Sequence, residues 1–292
     1  MIKNIYKNYR EPNRVVILGG GGFVSNSVEK ELKKFNIKIK SFNHSELDLT
    51  KKDTPKKLKK ILKYNDSLFF AAANAPVKNE KMLIENLIMS QNVCSSLREI
   101  SIKHLVYLSS DAVYSDSKKP LKEKSDTKPE SLHGIMHFSR EAMISQLSHI
   151  PKCFIRPTLI FGSEDPHNGY GPNRFIRLSK KNKDINLFGK GEELRDHVWI
   201  DDVSKVIYNV FMHSSIGKLN IATGKVISFK DIAKKIIKIY SSKSKIKYLK
   251  RNGPMPHGGY RSFDNSLIKK TFSDFSYTNF DTAVLNIYNK KK

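Results

Sequence analysis

A run of four glycines at residues 19–22 constrains the fold of this chain more than any other feature of its sequence. The segment before it, Arg14–Leu18, reads RVVIL, and such β-branched apolar runs are typical of a buried strand. Residues 23–32 follow and are consistent with a helix. A strand that enters a helix through glycines predicts the start of a βαβ unit, because glycine tolerates the backbone angles of the tight turn.

Strands and helices are predicted to alternate over the next 130 residues or so, which favours parallel βαβ units with right-handed crossovers. The predicted strands are 37–42, 66–73, His104–Leu108 and 153–156, and the predicted helices are 81–100 and 131–148. The fold class we expect is therefore α/β, with a doubly wound parallel sheet of the Rossmann type and a smaller C-terminal lobe.

The regular pattern weakens after about residue 162. Residues 163–193 show little periodicity, residues 196–200 are a candidate strand that returns to the sheet, and helices are predicted at 201–213 and 229–240, the latter capped by Ser228. We therefore expect a dinucleotide-binding domain at 1–163 with a returning segment near 194–222. Residues 164–193 and 223–292 would form a substrate-binding lobe.

The composition indicates in which cellular compartment we expect the protein. Apolar residues make up 39% of the chain, no run approaches the roughly 20 apolar residues of a membrane span, and residues 1–13 lack the apolar stretch of a secretion signal. Cys94 and Cys153 are too few for a disulfide framework or a thiolate metal site. We expect a cytoplasmic protein without a structural metal and without a membrane partner.

The net charge of +25, from 53 Lys and Arg against 28 Asp and Glu, is a possible sign of nucleic-acid binding. The lysines are dispersed along the chain, however, and pairs such as Lys59-Lys60 recur on helical faces where solvated charge is ordinary. The dispersed pattern favours diffuse surface charge over a dedicated nucleic-acid surface.

The glycine loop itself predicts a phosphate site. Gly19, Gly22 and Ser25 occupy a GxxGxxG pattern between strand and helix, where backbone amides at Phe23 and Val24 and the helix N-terminus can hold a pyrophosphate. Serine replaces the third glycine, which packs the helix on the strand. The context of strand, loop and helix favours a dinucleotide over a purely structural turn.

The segment about twenty residues after the glycine loop helps to decide whether NAD or NADP binds. An acidic residue there would bond the ribose 2′-hydroxyl, but this chain has Asn43 and His44, with Lys40 nearby, so NAD and NADP both remain candidates. Asp48, followed by Leu49, could bond the adenine amine or could cap a turn before Thr50.

Several further segments, taken in order, resemble the extended short-chain dehydrogenase/reductase family, whose members are epimerases, dehydratases and reductases of nucleotide sugars. The resemblance covers residues 15–266. The matching segments are VVILGGGGFVS, SFNHSELDLT, FFAAANAP, YLSSDAVYSD, FIRPTLIFG and LFGKGEELRDHVWIDDV.

The resemblance implies roles for individual residues. Ser110 would be the catalytic hydroxyl that bonds the reacting sugar oxygen, and Ala71 and Ala72 would lie beside the nicotinamide ribose. Asn86, where the family has an asparagine in the following helix, would also belong to the cofactor site. On the substrate side, Arg195 and Arg251 would contact the nucleotide diphosphate, with Arg261 competing for the second position. Leu159 replaces a frequent asparagine, and Asn173 or Arg174 would compensate. The family also implies a homodimer.

The sequence departs from the family at the proton-transfer pair. Where the family has Tyr-x-x-x-Lys, this chain has His133 and His137. Our hypothesis is that His133 acts as acid or base, since imidazole titrates near neutral pH, and that His137, one turn on, takes the ribose contact. Asp111 or Tyr114 could instead move the proton, or the two histidines could bind a metal, although no third ligand is evident.

Two functions follow. The first is NAD(P)-dependent hydride transfer at a carbon of a nucleotide-diphosphate sugar, as an epimerase, dehydratase or reductase. The alternative is a dinucleotide-binding protein that has lost catalysis and keeps a binding or structural role, with RNA as one conceivable partner. The altered proton-transfer pair motivates the alternative, whereas Ser110 and Arg195 favour the enzyme.

Overall fold

The structure is a computed structural model that describes residues 2–290. The strands are β1 (Arg14–Leu18), β2 (Ile39–Phe42), β3 (Asp66–Phe70), β4 (His104–Leu108), β5 (Lys152–Pro157), β6 (Leu159–Phe161), β7 (Ile185–Phe188), β8 (Leu194–Trp199), β9 (Gly217–Ile221), β10 (Val226–Ser228), β11 (Ile246–Leu249) and β12 (Tyr260–Arg261). The α-helices are α1 (Phe23–Lys33), α2 (Thr54–Ile61), α3 (Glu80–Glu99), α4 (Leu132–Ser145), α5 (Pro172–Lys180), α6 (Ile200–Met212), α7 (Phe229–Ile239), α8 (Ser266–Thr271) and α9 (Phe280–Asn289).

A six-stranded parallel sheet organises the chain, with the strand order β2-β1-β3-β4-β5-β9. The chain moves outward from β1 to β2 and then crosses to β3 on the other side of β1. This reversal creates a crevice at the carboxyl ends of the strands, which is where ligands bind in open α/β sheets. The architecture confirms the predicted fold class.

Both faces of this sheet are buried, as its apolar strands require. Along β1, Val15 and Ile17 belong to one hydrophobic cluster while Val16 and Leu18 belong to another, because successive side chains point to opposite faces. The first cluster packs against α1 and α6, and the second packs against α2 and α3. The sheet is therefore covered by helices on both sides.

The strand predicted at residues 196–200 does not return to the central sheet, so that expectation is wrong. The strand at this position, β8, pairs with β6, β10 and β12 in a second sheet, and β9 is the strand that joins β5. Asp196 helps to explain the placement, since its carboxylate accepts bonds from the backbone amides of Thr223 and Gly224, in the turn after β9.

Residues 163–193 contain more regular structure than their sequence indicated. Helix α5 begins at Pro172, directly after Gly171, and buries Phe175, Ile176 and Ser179. Strand β7 follows and pairs with β11. Pro172 suits the first turn of a helix because its missing N–H would have no partner there. The division into a cofactor domain and a substrate lobe stays a prediction.

The segment before β1 packs on the domain. Lys3 forms an antiparallel bridge with Ile216, Arg10 N–H donates to the Met212 carbonyl at 2.8 Å, and Ile2 is buried. Across residues 2–290, none of the helices combines the length and the apolar character that crossing a bilayer would require.

Candidate functional site

A crevice of about 1000 Å³ opens at the carboxyl ends of β1, β3 and β4. Most of the sequence-predicted site residues lie on its wall, although they come from segments far apart in the chain. These wall residues are Gly19, Gly22, Phe23, Val24, Asn43, His44, Asp48, Leu49, Ala71, Ala72, Ser110, His133, His137 and Asn173. Asn86, Arg174, Arg195 and Arg251 are not on the wall.

The glycine loop lies against the end of β3. Gly19 has φ +98°, and a Cβ there would come within 2.6 Å of the Ala72 backbone nitrogen, so a side chain is excluded both by conformation and by space. Gly22 is the N-cap of α1 and makes no side-chain cap bond, which leaves the first helical amides available. Ser25, which replaces the third glycine, is buried. A bridged pair of phosphates fits this arrangement of amides.

The far end of the crevice is built from turns after β2. The Asn43 Oδ1 accepts bonds from the backbone amides of Ser45 and Glu46 at 2.9 and 3.1 Å. The Asp48 Oδ1 accepts bonds from the Thr50 hydroxyl and amide at 2.7 and 2.9 Å, and the hydroxyl bond is the main cause of a lowered pKa of Asp48. Asp48 thus caps a turn and still faces the crevice.

Behind the wall, Asn86 and Arg140 hold the segment after β3 in place. Asn86 is fully buried and bonds both the amide and the carbonyl of Asn74, at 3.0 and 2.9 Å. Arg140 donates to the Ala72 carbonyl at 2.9 Å, and its guanidinium lies 4.3 Å from the centre of the Phe70 ring. Asn86 therefore acts through the backbone that lines the crevice, not through direct exposure to it.

Arg140 was missed by the sequence reasoning. It is fully buried on α4, and none of its contacts among the described residues is a carboxylate. The available signal was an arginine placed three residues after His137, next to Glu141, on the face of the helix that is buried.

Two consecutive serines follow β4, and they differ in what their hydroxyls do. Ser109 donates to the buried Glu141 carboxylate at 2.6 Å, and Glu141 is itself paired with Arg156. The Ser110 Oγ accepts a bond from the Ala112 amide at 3.1 Å and lies 3.4 Å from the Asp111 carboxylate. The first hydroxyl is committed to the interior, and the second faces the crevice.

Arg261 braces the loop that carries Ser110. Its Nε donates to the Asp111 carboxylate at 2.9 Å, and its Nη1 donates to Asp116 at 3.0 Å. Because the guanidinium is buried and bonded to two carboxylates, Arg261 holds the serine loop in position and does not present a free cation to the crevice.

Helix α4 brings both histidines to the crevice, and Ser131 caps its first turn. The helix can approach the serine loop because residue 134 is glycine: a Cβ there would lie 2.1 Å from the Ala112 carbonyl oxygen. The rings of His133 and His137 are 4.7 Å apart and perpendicular. Close packing of helix and loop therefore sets the distance between His133 and Ser110.

Burial governs the charge states of these groups. It lowers the pKa of His133, which Asp111 partly offsets, and it lowers the pKa of His137 well below its usual value. It also raises the pKa of Tyr107, whose hydroxyl lies 2.8 Å from the His137 Nδ1. Both imidazoles are therefore neutral near pH 7, and the phenol remains protonated.

On the substrate side, Asn173 faces the crevice and accepts a bond from the Gly162 amide at 3.0 Å. Arg195 and Arg251 lie off the wall, where both pair with the buried carboxylate of Glu193. Arg174 also lies off the wall.

His197 is a second residue that the sequence reasoning passed over. It follows Arg195 on β8, lies on the crevice wall and is buried. The motif LRDHVWIDDV had already marked this strand, but only its arginine was singled out. Among the described residues, no group of three His, Cys, Asp or Glu side chains is arranged to hold a metal ion.

Comparison with known proteins places the chain among enzymes that resemble one another in sequence and fold. Residues 15–222 match the model of the NAD dependent epimerase/dehydratase family. A dTDP-D-glucose 4,6-dehydratase from Dictyostelium discoideum is 26% identical, over 54% of this chain and 40% of that protein, so the match spans well under two thirds of the relative.

Two solved structures share the fold over nearly the whole chain. The UDP-glucose 4-epimerase of Thermus thermophilus, in complex with NAD, has a TM-score of 0.83 at 18% identity and covers 94% of this chain and 98% of that one. A GDP-L-fucose synthetase from Naegleria fowleri, bound to NADP, has a TM-score of 0.83 at 16% identity and covers 98% and 96%. With the family model matching most of its length, the chain belongs to the NAD-dependent epimerase/dehydratase family of enzymes.

Proposed function

We propose that the protein is an NAD(P)-dependent oxidoreductase that acts on a nucleotide-diphosphate sugar by hydride transfer at a sugar carbon. The observation that carries the proposal is the crevice, where the amides after Gly19, the Ser110 hydroxyl and the His133 imidazole lie on one continuous wall. Family membership supports the general kind of reaction, and the relatives named above act on nucleotide sugars.

The cofactor would lie along the glycine loop, with its pyrophosphate next to Gly22 and on the amides of Phe23 and Val24. Asn43, His44, Asp48 and Leu49 would surround the adenosine, and Ala71 and Ala72 would flank the nicotinamide ribose. When bound, the dinucleotide supplies or accepts the hydride. Asn43 and His44 are not acidic, so neither presents a carboxylate to the ribose 2′ position, and NAD and NADP both stay candidates.

Ser110 would stabilise the sugar oxygen. Charge builds on that oxygen as the carbon–hydrogen bond forms or breaks, and a hydroxyl aimed at it lowers the barrier. The 3.4 Å separation from Asp111 is long for a bond between two oxygens, so the Ser110 proton is free to turn toward a ligand. Ser109 cannot substitute, since its proton is held by Glu141.

His133 would take the proton of the sugar hydroxyl during oxidation and return it during reduction. Its ring is neutral near pH 7 and lies on the crevice wall. An imidazole can accept a proton without the cationic neighbour that a tyrosine needs.

His137 would take the ribose contact that the family assigns to lysine. If the Tyr107 hydroxyl, 2.8 Å from Nδ1, is the donor of that bond, the ring proton lies on Nε2. Nε2–H would then be the donor that His137 offers to the ribose. Tyr107 is therefore a positioning residue for His137.

The diphosphate would be attracted by the arginine cluster beside the crevice. Arg195 and Arg251 share the carboxylate of Glu193, and the carboxylate of Glu192 also interacts with Arg251. To contact a phosphate directly, either arginine would exchange Glu193 for the ligand. Asn173 already faces the crevice, and Arg174 would reach it only by a change of side-chain conformation.

The test is to denature the purified protein, identify the released nucleotide, and follow the near-ultraviolet absorbance of reduced nicotinamide while UDP-, GDP- and dTDP-sugars are added. A transient reduced cofactor would indicate an epimerase or dehydratase, and net consumption of NADPH would indicate a reductase. The variant Ser110→Ala tests the role of the serine hydroxyl, and it should lower the rate about a hundredfold or more.

A protein that holds a dinucleotide but leaves its redox state unchanged with every sugar of the panel would contradict the proposal. That outcome would favour the alternative, a dinucleotide-binding protein without catalysis. The observation behind this alternative is the replacement of the family's Tyr-x-x-x-Lys pair by His133 and His137.

A further inference from the structure

His197 is the buried polar side chain that the proposed reaction leaves without a role. It lies on β8 at the substrate end of the crevice, with 6% of its surface exposed. Neither ring nitrogen makes a well-formed hydrogen bond to a residue that the structure describes; the ring's polar contact is with the Arg195 backbone. Buried polar groups are nearly always paired in native proteins, so an imidazole without a well-formed bond on a ligand crevice points to a ligand.

The surroundings of His197 hold its ring on the crevice wall. Phe229 packs against the imidazole edge to face, with ring centres 5.7 Å apart. Gly171 has φ +140°, and a Cβ at that position would lie 3.9 Å from the His197 Nε2. Because residue 171 is glycine, no side chain from that position lies against the buried Nε2.

The charge state of His197 limits what it can recognise. Burial lowers its pKa to about 4, an effect that the nearby Arg195 backbone offsets only in part. Near pH 7 the ring is neutral, with one nitrogen as donor and the other as acceptor. A neutral ring suits a hydroxyl or an amide, which can both donate and accept, and offers little to a phosphate.

The positions of His197 and Arg195 on β8 suggest different roles for the two side chains. Arg195 and His197 are two residues apart on β8 and therefore lie on the same face of the strand, about 7 Å apart. The arginine belongs to the charged cluster with Glu193, whereas the histidine faces the crevice. The strand thus presents a cation for the diphosphate next to a neutral group for an uncharged part of the same ligand.

We propose that His197 is a specificity-determining substrate residue, one of whose ring nitrogens hydrogen-bonds an uncharged hydroxyl or amide of the nucleotide sugar. This inference rests on the proposed function, because it takes the substrate to be a nucleotide sugar. It adds a contact that fixes the orientation of the uncharged part of the substrate in the crevice.

His197→Phe tests the proposal, since it keeps a buried ring and removes both nitrogens. Isothermal titration of the cofactor-loaded protein with UDP-, dTDP- and GDP-glucose, and with UDP, should show the dissociation constant of the bound sugar nucleotide raised about tenfold. The affinity for the dinucleotide should not change. The melting temperature of the ligand-free variant should be equal or higher, because buried nitrogens without well-formed bonds have been removed.

Tyr240→Phe is the matched control. It also removes a buried polar atom that has no partner in the described structure, but Tyr240 lies off the crevice wall, so sugar affinity should be unchanged. His197→Gln restores a donor and an acceptor, and it should recover part of the lost affinity. It also serves as the second variant if His197→Phe does not fold.

The titration results distinguish where His197 contacts the ligand and whether the proposal or the proposed function fails. Weakened binding of UDP as well as the sugar nucleotide would place the contact on the nucleoside, and weakened binding of the sugar nucleotide alone would place it on the hexose; both support the proposal. Unchanged affinity in a folded His197→Phe variant overturns it. If the wild-type protein binds its dinucleotide but none of the sugar nucleotides, the proposed function itself fails, and this inference fails with it.

Discussion

At the scale of single residues, the proposed function has histidines move the proton that a tyrosine and a lysine move elsewhere in the family. A tyrosine must be made more acidic by a cation before it can act as a base, whereas a neutral histidine is ready near pH 7. The crevice keeps His133 and His137 neutral by burying them. Arg140 is buried beside His137, and its charge further disfavours protonation of that ring.

The pH profile of sugar oxidation follows from this charge state. The pKa of His133 lies below its usual value near 6.5, and the neutral ring is the form that would act as the proposed base. Activity should therefore be present above pH 6.5 and be lost as the pH falls through the lowered pKa. The measurement is kcat/KM against pH for the substrate identified in the panel, with His133→Phe expected to lose about a hundredfold or more.

His149→Gln provides the control for that experiment, because His149 bonds the Leu97 carbonyl away from the crevice and glutamine keeps a donor. Full turnover in His133→Phe, or an acidic limb of the pH profile that this substitution leaves unchanged, would show that another residue moves the proton.

Asp111 and Tyr114 were the alternative proton carriers from the sequence. Tyr114 is less suited, because its buried hydroxyl donates to Asn220 and its pKa is raised to about 12.

The residues that sequence could predict at the site are those whose role is local. Gly19 and Gly22 are recognisable because a strand precedes them and a helix follows, and Ser110 because it follows a strand within a family motif. Arg261 and Asp111 are 150 positions apart, and their pairing depends on how the chain returns to the serine loop. No local pattern carries that information.

At the scale of elements, the contact between α4 and the serine loop controls the site. Alanine normally stabilises a helix relative to glycine by about 1 kcal/mol. At residue 134 the sign should reverse, since the added Cβ would lie 2.1 Å from the Ala112 carbonyl and 2.8 Å from Pro129 Cβ. Gly134→Ala should reduce the free energy of unfolding by about 1–3 kcal/mol and lower turnover, as the helix moves away from Ser110.

Urea denaturation measures this change in stability. Gly169→Ala is the stability control, because a Cβ at Gly169 meets no heavy atom within 4 Å and should change the free energy of unfolding by less than about 0.5 kcal/mol. A Gly134→Ala protein more stable than the wild type would show that the helix and the loop are not held at this distance.

Elements in the first half of the chain follow their sequence signals closely, whereas those after residue 162 follow them less well. Strand β4 has the predicted bounds, and α4 lies inside the predicted helix with Ser131 as its cap. Strand β8 has an ordinary strand pattern, but its sheet partners β6, β10 and β12 come from three separate segments. Sequence periodicity predicts that a strand exists, and the tertiary contacts decide which sheet it joins.

At the scale of the whole molecule, the reversal of strand order between β1 and β3 gathers the site. The loops after β1, β2, β3 and β4 meet at one edge of the sheet, and the second sheet adds His197 and the arginine cluster beside it. The fold class was predictable because βαβ units admit few arrangements. The homodimer, the cytoplasmic location and the lack of a nucleic-acid surface stay predictions.

The account depends on the crevice holding a nicotinamide dinucleotide across the glycine loop. The most direct measurement is a crystal structure of the protein grown with NAD or NADP, whichever binds more tightly in titration. We predict density for two bridged phosphates over the amides that follow Gly19, with the nicotinamide next to Ser110 and His133. A crevice that stays empty in crystals saturated with both nucleotides, or a dinucleotide bound elsewhere on the chain, would contradict the account.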